Sequence, residues 1–155
     1  MFQCRQENIR YIKQLKSQTD PDEWEELRER ILQTETVRQV RFTLLESEGL
    51  WARLLAEIRK TGNCFIMDSF EEPLKQRFPQ EVLDFYLDYL RARMLEVSNR
   101  KAYYALILYL KKAAHYPNGG PAAQALANEW RKTFPRRSSL LDELNKAGFI
   151  NPATK

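Results

Sequence analysis

Between Pro79 and Tyr116 the chain reads as two helical segments, PQEVLDFYLDYLRARMLEV and KAYYALILYLKKAAHY, joined at Val97-Ser98-Asn99. Six of the seven tyrosines fall here: Tyr86, Tyr89, Tyr103, Tyr104, Tyr109 and Tyr116. In the first segment Asp84, Asp88 and Arg91 stand at i, i+4 and i+7 and form one narrow polar stripe. Apart from Arg93, the rest of 82–95 is apolar or aromatic. A helix apolar on most sides must be packed on most sides. This stretch therefore demands helical neighbours before and after it, and it predicts an all-α protein.

The flanking sequence supplies such neighbours. Residues 3–16 carry Ile9, Ile12 and Leu15 with Tyr11 in an amphipathic pattern. Asp20-Pro21-Asp22 is a start signal, with an Asp cap, Pro at the first helical position and acid in the first turn. The helix it opens places Trp24, Leu27 and Ile31 on one face. Glu25, Glu26, Arg28, Glu29 and Arg30 are expected on its solvated face, in i,i+4 pairs. Thr36 is expected to cap a third helix through Leu45, built on Val37, Val40 and Leu44 and ended by Glu48-Gly49. A fourth, Leu50 to Lys60, turns Trp51, Leu54, Leu55 and Ile58 inward, and Thr61-Gly62-Asn63 stops it. Phe65 to Phe78 follows, with Phe70, Leu74 and Phe78 as its stripe and Pro73 expected in a first turn.

Beyond the central pair, Pro117-Asn118-Gly119-Gly120-Pro121 reads as a turn. Pro121 is expected to open a helix to Lys132 anchored by Leu126 and Trp130. Ser139 is expected to cap a last helix in a capping box with Asp142, and Gly148 to end it. Residues 151–155 form a frayed tail. The sum is about nine helices with short connections, which favours antiparallel hairpins. Leu-Lys-Gln-Arg-Phe-Pro ending at Pro79 returns as Trp-Arg-Lys-Thr-Phe-Pro ending at Pro135, 56 positions later. The expected architecture is a short tetratricopeptide-like α-solenoid in one domain over 1–150, with sub-units 1–62 and 63–150.

The longest uncharged apolar run, Ala102 to Leu110, is far below the roughly 20 residues that span a bilayer. The N-terminus is polar and charged, unlike a signal peptide, and a cytoplasmic protein without membrane contact is expected. Cys4, Cys64 and the single His115 cannot supply a zinc set at close spacing, so no metal or cofactor is expected; the thiols are read as buried and reduced, with one disulfide between them as the alternative in an oxidising compartment. His115, in a last helical turn, suits the negative end of the helix dipole. No phosphate-binding glycine loop, His-Glu-x-x-His or nucleophile elbow is present, and no catalytic residue is nominated.

Charge is uneven. Residues 1–78 hold 13 Lys+Arg against 14 Asp+Glu, whereas 79–155 hold 12 against 7. Arg131, Lys132, Arg136 and Arg137 put four cations in seven residues, and Lys111 and Lys112 extend them. With Tyr104 and Tyr109 alongside, these eight residues are the candidate partner-binding surface. The expected function is a non-catalytic interaction module for a protein partner or a neighbouring domain. The alternative is nucleic-acid binding by the basic half, phosphates meeting the cations and bases stacking on the tyrosines.

The C-terminal part has a recognisable order. A Tyr-rich helix from Tyr103-Tyr104 to Lys111-Lys112 leads to a glycine turn and a helix ending Trp130-Arg131-Lys132. Phe-Pro-Arg136-Arg137-Ser-Ser-Leu140-Leu141-Asp142-Glu143-Leu144 closes it. Over about residues 66–148 this resembles the helical region that follows the zinc finger in bacterial SWIM zinc-finger proteins. The resemblance implies the C-terminal helical part of a longer polypeptide. The family's Cys-x-Cys…Cys-x-His finger has no counterpart here, so none of its zinc ligands transfers.

Overall fold

The computed structural model describes residues 2–34 and 38–151, with side chains from residue 6 onward. The described residues form nine α-helices and no strand. The all-α fold expected from the apolar Pro79–Tyr116 stretch is the one adopted. The chain divides into two compact units, Met1–Lys60 and Thr61–Lys155.

The first unit holds α1 (Phe2–Gln18), α2 (Pro21–Thr34), α3 (Arg38–Ser47) and α4 (Trp51–Thr61). Asp20-Pro21 starts α2 as expected, the Asp20 carbonyl accepting from the amides of Glu23 and Trp24 at 2.9 and 3.0 Å. The expected cap Thr36 and the stripe residue Val37 lie outside the described residues. Helix α1 packs on α3, and Ile12, Trp24, Leu32, Phe42, Leu44, Leu45, Leu54 and Ile58 form the core. Glu48, read only as part of a stop signal, is a buried hub. Its carboxylate accepts from Lys16 at 2.8 Å, from Arg28 at 3.3 Å and from the indole of Trp24. Burial works against its charge, yet these donors outweigh it and hold the carboxyl below its usual range. Arg28 and Glu29 are thus not an i,i+4 surface set. Arg28 turns inward to Glu48, and Glu29 meets Arg53 of α4 at 2.7 Å.

The second unit holds α5 (Cys64–Arg77), α6 (Pro79–Met94), α7 (Arg100–Ala114), α8 (Gly119–Thr133) and α9 (Ser138–Lys146). Consecutive helices pair α5 with α6, α6 with α7 and α7 with α8, while α6 also meets α8 and α7 meets α9. Packing onto both the next helix and the one after is the stacked-hairpin, solenoid-like pattern. Helix α6 buries Val82, Leu83, Phe85, Tyr86, Leu87, Leu90 and Met94, and of its polar stripe Asp88 and Arg91 are exposed and Asp84 is half-buried. The repeated Phe-Pro is one corner used twice. Phe78 (φ −134°, ψ 58°) and Phe134 (φ −125°, ψ 56°) each donate their amide to the carbonyl four residues back, at 2.7 and 2.8 Å. Proline excludes its predecessor from the helical region, so both helices stop one residue earlier.

Three local expectations are corrected. Pro73 lies in the third turn of α5, because Asn63 caps that helix (its side chain accepts from the amides of Phe65 and Ile66) and starts it nine residues before the proline. Pro73 has no amide to donate along the helix, and α5 continues through it with Met67, Phe70 and Leu74 buried. Helix α8 starts at Gly119 rather than Pro121, after Asn118 in the left-handed region at φ 62°. The last helix starts at Ser138 with Arg137 at the cap position, and Asp142 bonds to Arg100 and Lys146 rather than closing a capping box. Gly148, at φ 94°, does end it: the Phe149 amide reaches back to Leu144 at 3.0 Å, and the ring is buried.

Gly119 is where the α7–α8 corner is tightest. A Cβ there would sit 1.9 Å from the Ala113 carbonyl oxygen, whereas at Gly120 the nearest atom is 3.8 Å away. Gly119→Ala is expected to lower stability by about 3 kcal/mol. Gly120→Ala should be neutral or raise it by roughly 0.5 kcal/mol. Urea unfolding of the two variants checks the contrast.

Candidate functional site

Tyrosine on a packed helix brings a hydroxyl that needs a partner. In the second unit α5 provides the partners, since Asp68 and Glu71, three residues apart, fall on one face. Tyr86 of α6 donates to Asp68 Oδ1 at 2.6 Å and Tyr109 of α7 to Asp68 Oδ2 at 2.7 Å. The Tyr116 hydroxyl donates to Glu71. Lys112 of α7 lies between the two carboxylates, 3.0 Å from Asp68 Oδ1 and 2.8 Å from Glu71 Oε1. Its ammonium also sits 4.9 Å from the Tyr86 ring centre and 5.5 Å from that of Tyr109. The rings of Tyr86 and Tyr109 stack at 6.0 Å, and Tyr86 meets Tyr116 edge-on at 6.3 Å.

This network sets the ionisation of its members. Burial, then the bonded Asp68, pushes Tyr86 far above the ordinary phenol range. Burial followed by Asp68 does the same to Tyr109, and burial followed by Glu71 to Tyr116. Burial, then the neighbouring Cys64 thiol, pushes Tyr89 up to about 12. For Lys112 burial opposes the charge, but Glu71 and Asp68 prevail and raise it. A phenol serving as a general base would need the opposite shift. The carboxylates already accept from these donors, and the arrangement joins three helices.

The eight residues expected to bind a partner separate into two groups. Tyr109 and Lys112 belong to the network. Arg131 donates to Asn145 at 2.8 Å and to the Phe149 carbonyl, bracing α9 and the turn after it against α8. Arg137 lies 3.9 Å over the Phe134 ring and donates to the carbonyls of Met94 and Val97 at 3.3 and 3.2 Å, closing the α6–α7 connection. Tyr104, Lys111, Lys132 and Arg136 are exposed. Tyr104 and Lys111 share the outward face of α7 with Lys101 and Leu108. Tyr104 is 55% and Leu108 47% exposed, one turn apart, with exposed Ala105 beside them. Lys101 and Lys111 make no ion pair among the described residues. The two other cations of α7 are each doubly paired: Arg100 with Asp142 at 2.6 Å and Glu143 at 2.7 Å, and Lys112 as above.

Two cavities stand apart from this face. One of about 440 Å³ opens at the start of α5 beside buried Cys64, with Phe65, Tyr89, Ala92, Arg93 and Glu96 on its walls. Its charged pair is matched, Arg93 meeting Glu96 at 2.6 Å. The other, about 360 Å³, is an apolar cleft of the first unit lined by Ile12, Leu15, Trp24, Leu27, Ile31 and Leu44. The Cys4 side chain lies outside the described residues. Among the described residues no three His, Cys, Asp or Glu side chains are placed to hold a metal ion, and no helix is long and apolar enough to cross a membrane. No protein-family model matches the sequence, and neither the curated proteins nor the solved structures include a significant match to it.

Sequence reasoning did not single out Asp68, Glu71 or Leu108. The first two carry a signal, acids one turn apart on a helix preceding a tyrosine-rich pair. Leu108 carries none, because it sits in the unbroken apolar run Ala102 to Leu110.

Tyr86, Tyr109 and Tyr116 have folded-state pKa values raised above the ordinary 10.0. A raised value contributes stability that is complete below the unfolded pKa and is lost as pH climbs past it. The second unit is therefore expected to weaken above pH 10. In an alkaline titration followed by tyrosinate absorbance and circular dichroism, the late-ionising tyrosines should titrate together with loss of helix. Ionisation of all seven near pH 10 with the helices intact would contradict the network. Asp68→Ala, which strips the buried Tyr86 hydroxyl of its acceptor, should cost about 2 kcal/mol.

Proposed function

We propose that the protein is a non-catalytic helical interaction module that docks a protein segment on the outward face of α7. One observation carries the reading: Tyr104 and Leu108 lie bare, one turn apart, between two lysines that no carboxylate of the described residues neutralises. Single exposed apolar residues are ordinary. A joined apolar pair framed by like charges, on the helix that α6, α8 and α9 all pack against, is a surface suited to a partner. The docked segment belongs either to a separate protein or to a neighbouring domain of the same polypeptide, the arrangement that the SWIM-type resemblance implies. The nucleic-acid reading rests on fewer cations than the sequence offered, since Arg131, Arg137 and Lys112 hold bonds within the unit.

A photo-crosslinking residue at position 108, introduced in the cells from which the protein comes, is expected to give a discrete protein adduct. The same group at Gln76, exposed on α5, should give none. Tyr104→Ala with Leu108→Ala should change stability by no more than about 0.5 kcal/mol, as is usual on a surface. No adduct at 108, or equal adducts at both positions, would contradict the reading.

A further inference from the structure

Building on that reading, we infer that the segment seated on α7 is an amphipathic helix with carboxylates at both ends of its apolar face. The outward face runs Lys101, Tyr104, Ala105, Leu108, Lys111 and His115, with no acid among them. Lys101 and Lys111 are ten residues apart, about 15 Å along the helix axis. Tyr104 and Leu108 fill the interval.

Four of the unit's carboxylates are engaged by the other two cations of α7. Asp142 and Glu143 hold Arg100, while Asp68 and Glu71 hold Lys112. Lys101 and Lys111, exposed and without an ion pair among the described residues, suit a partner that is negative at both ends of an apolar contact. An α-helix lying along α7 meets this requirement with an apolar pair at i, i+4 and a Glu or Asp beyond each end, about ten residues apart. A phosphate backbone supplies the charges but has nothing to cover Leu108. Complementarity of this kind sets the choice of partner, because a segment with lysines in place of the acids meets like charge at both ends.

The probe is a helix-forming peptide of about four turns. It carries a Leu pair one turn apart and Glu residues ten apart around it, in an Ala and Gln background. Added to the isotope-labelled full chain, it should shift the amide resonances of 101–111 saturably, and more weakly as salt is raised. The same peptide with Lys for Glu should bind about tenfold more weakly or not at all. The double variant Lys101→Glu with Lys111→Glu should reverse that preference.

Equal binding of the two peptides, or no movement of α7 with either, overturns the inference. If α7 stays unmoved while crosslinking at position 108 still captures a protein, the docking reading stands and the acidic-helix assignment falls. If both experiments fail, both are removed. Shifts produced instead by a single-stranded oligonucleotide, with neither peptide bound, assign the face to nucleic acid and overturn the inference as well.

Discussion

The second unit depends on the bonding of Asp68 and Glu71 to three tyrosines and one lysine. Ordinary apolar packing fixes how much surface the helices bury, but it fixes their relative rotation and stagger less tightly. Hydroxyls from α6, from α7 and from the turn after α7 converge on carboxylates of α5, with distances of 2.6 and 2.7 Å at Asp68. A one-residue slip of α7 would break the bonds of Tyr109 and Lys112 at once and leave the carboxylates of Asp68 and Glu71 short of donors. Each unsatisfied group of that kind is costly in a low-dielectric interior. The network thereby sets the register of the hairpins and, through it, which face of α7 is turned outward.

The same principle sorts the cations of the basic half. Arg100, Lys112, Arg131 and Arg137 sit at helix ends and corners, where their donors meet carboxylates or otherwise unmatched carbonyls. Arg137 closes two carbonyls at the α6–α7 connection, and Arg131 one carbonyl after α9. Planar multi-donor guanidinium suits that role. The charge surplus beyond residue 79 is therefore not one patch. Much of it is internal bracing or is paired at the surface, as Arg91, Arg93 and Lys146 are, whereas Lys101, Lys111, Lys132 and Arg136 are exposed, the first two framing the apolar pair of α7.

The all-α class, the α6 stripe and most helix starts were legible because they follow from local chemistry: apolar periodicity, proline at a first position, glycine past a last one. The Phe-Pro echo was legible for the same reason, since proline constrains its predecessor wherever it occurs. What failed to show was long-range. Arg137 and Arg131 look like any basic cluster until the carbonyls they serve, up to 43 positions away, are in place. Glu48 beside a glycine reads as a stop signal until Lys16, Trp24 and Arg28 converge on it. Periodicity likewise hides which apolar residue of an unbroken run faces out, and Leu108 was lost for that reason. The start of α8 was misplaced because proline is tolerated anywhere in a first turn, so Pro121 marks the turn without fixing its first residue.

The division of cations into bonded and free can be read directly by trace acetylation of the native protein, with each lysine quantified by mass spectrometry. Lys111 and Lys112 are adjacent in sequence, so differences in local reactivity between them report the fold. The account predicts that Lys101 and Lys111 react as exposed amines, while Lys112, held as an ammonium between Asp68 and Glu71, lags several-fold behind. Equal labelling of Lys111 and Lys112 in the folded chain would contradict it.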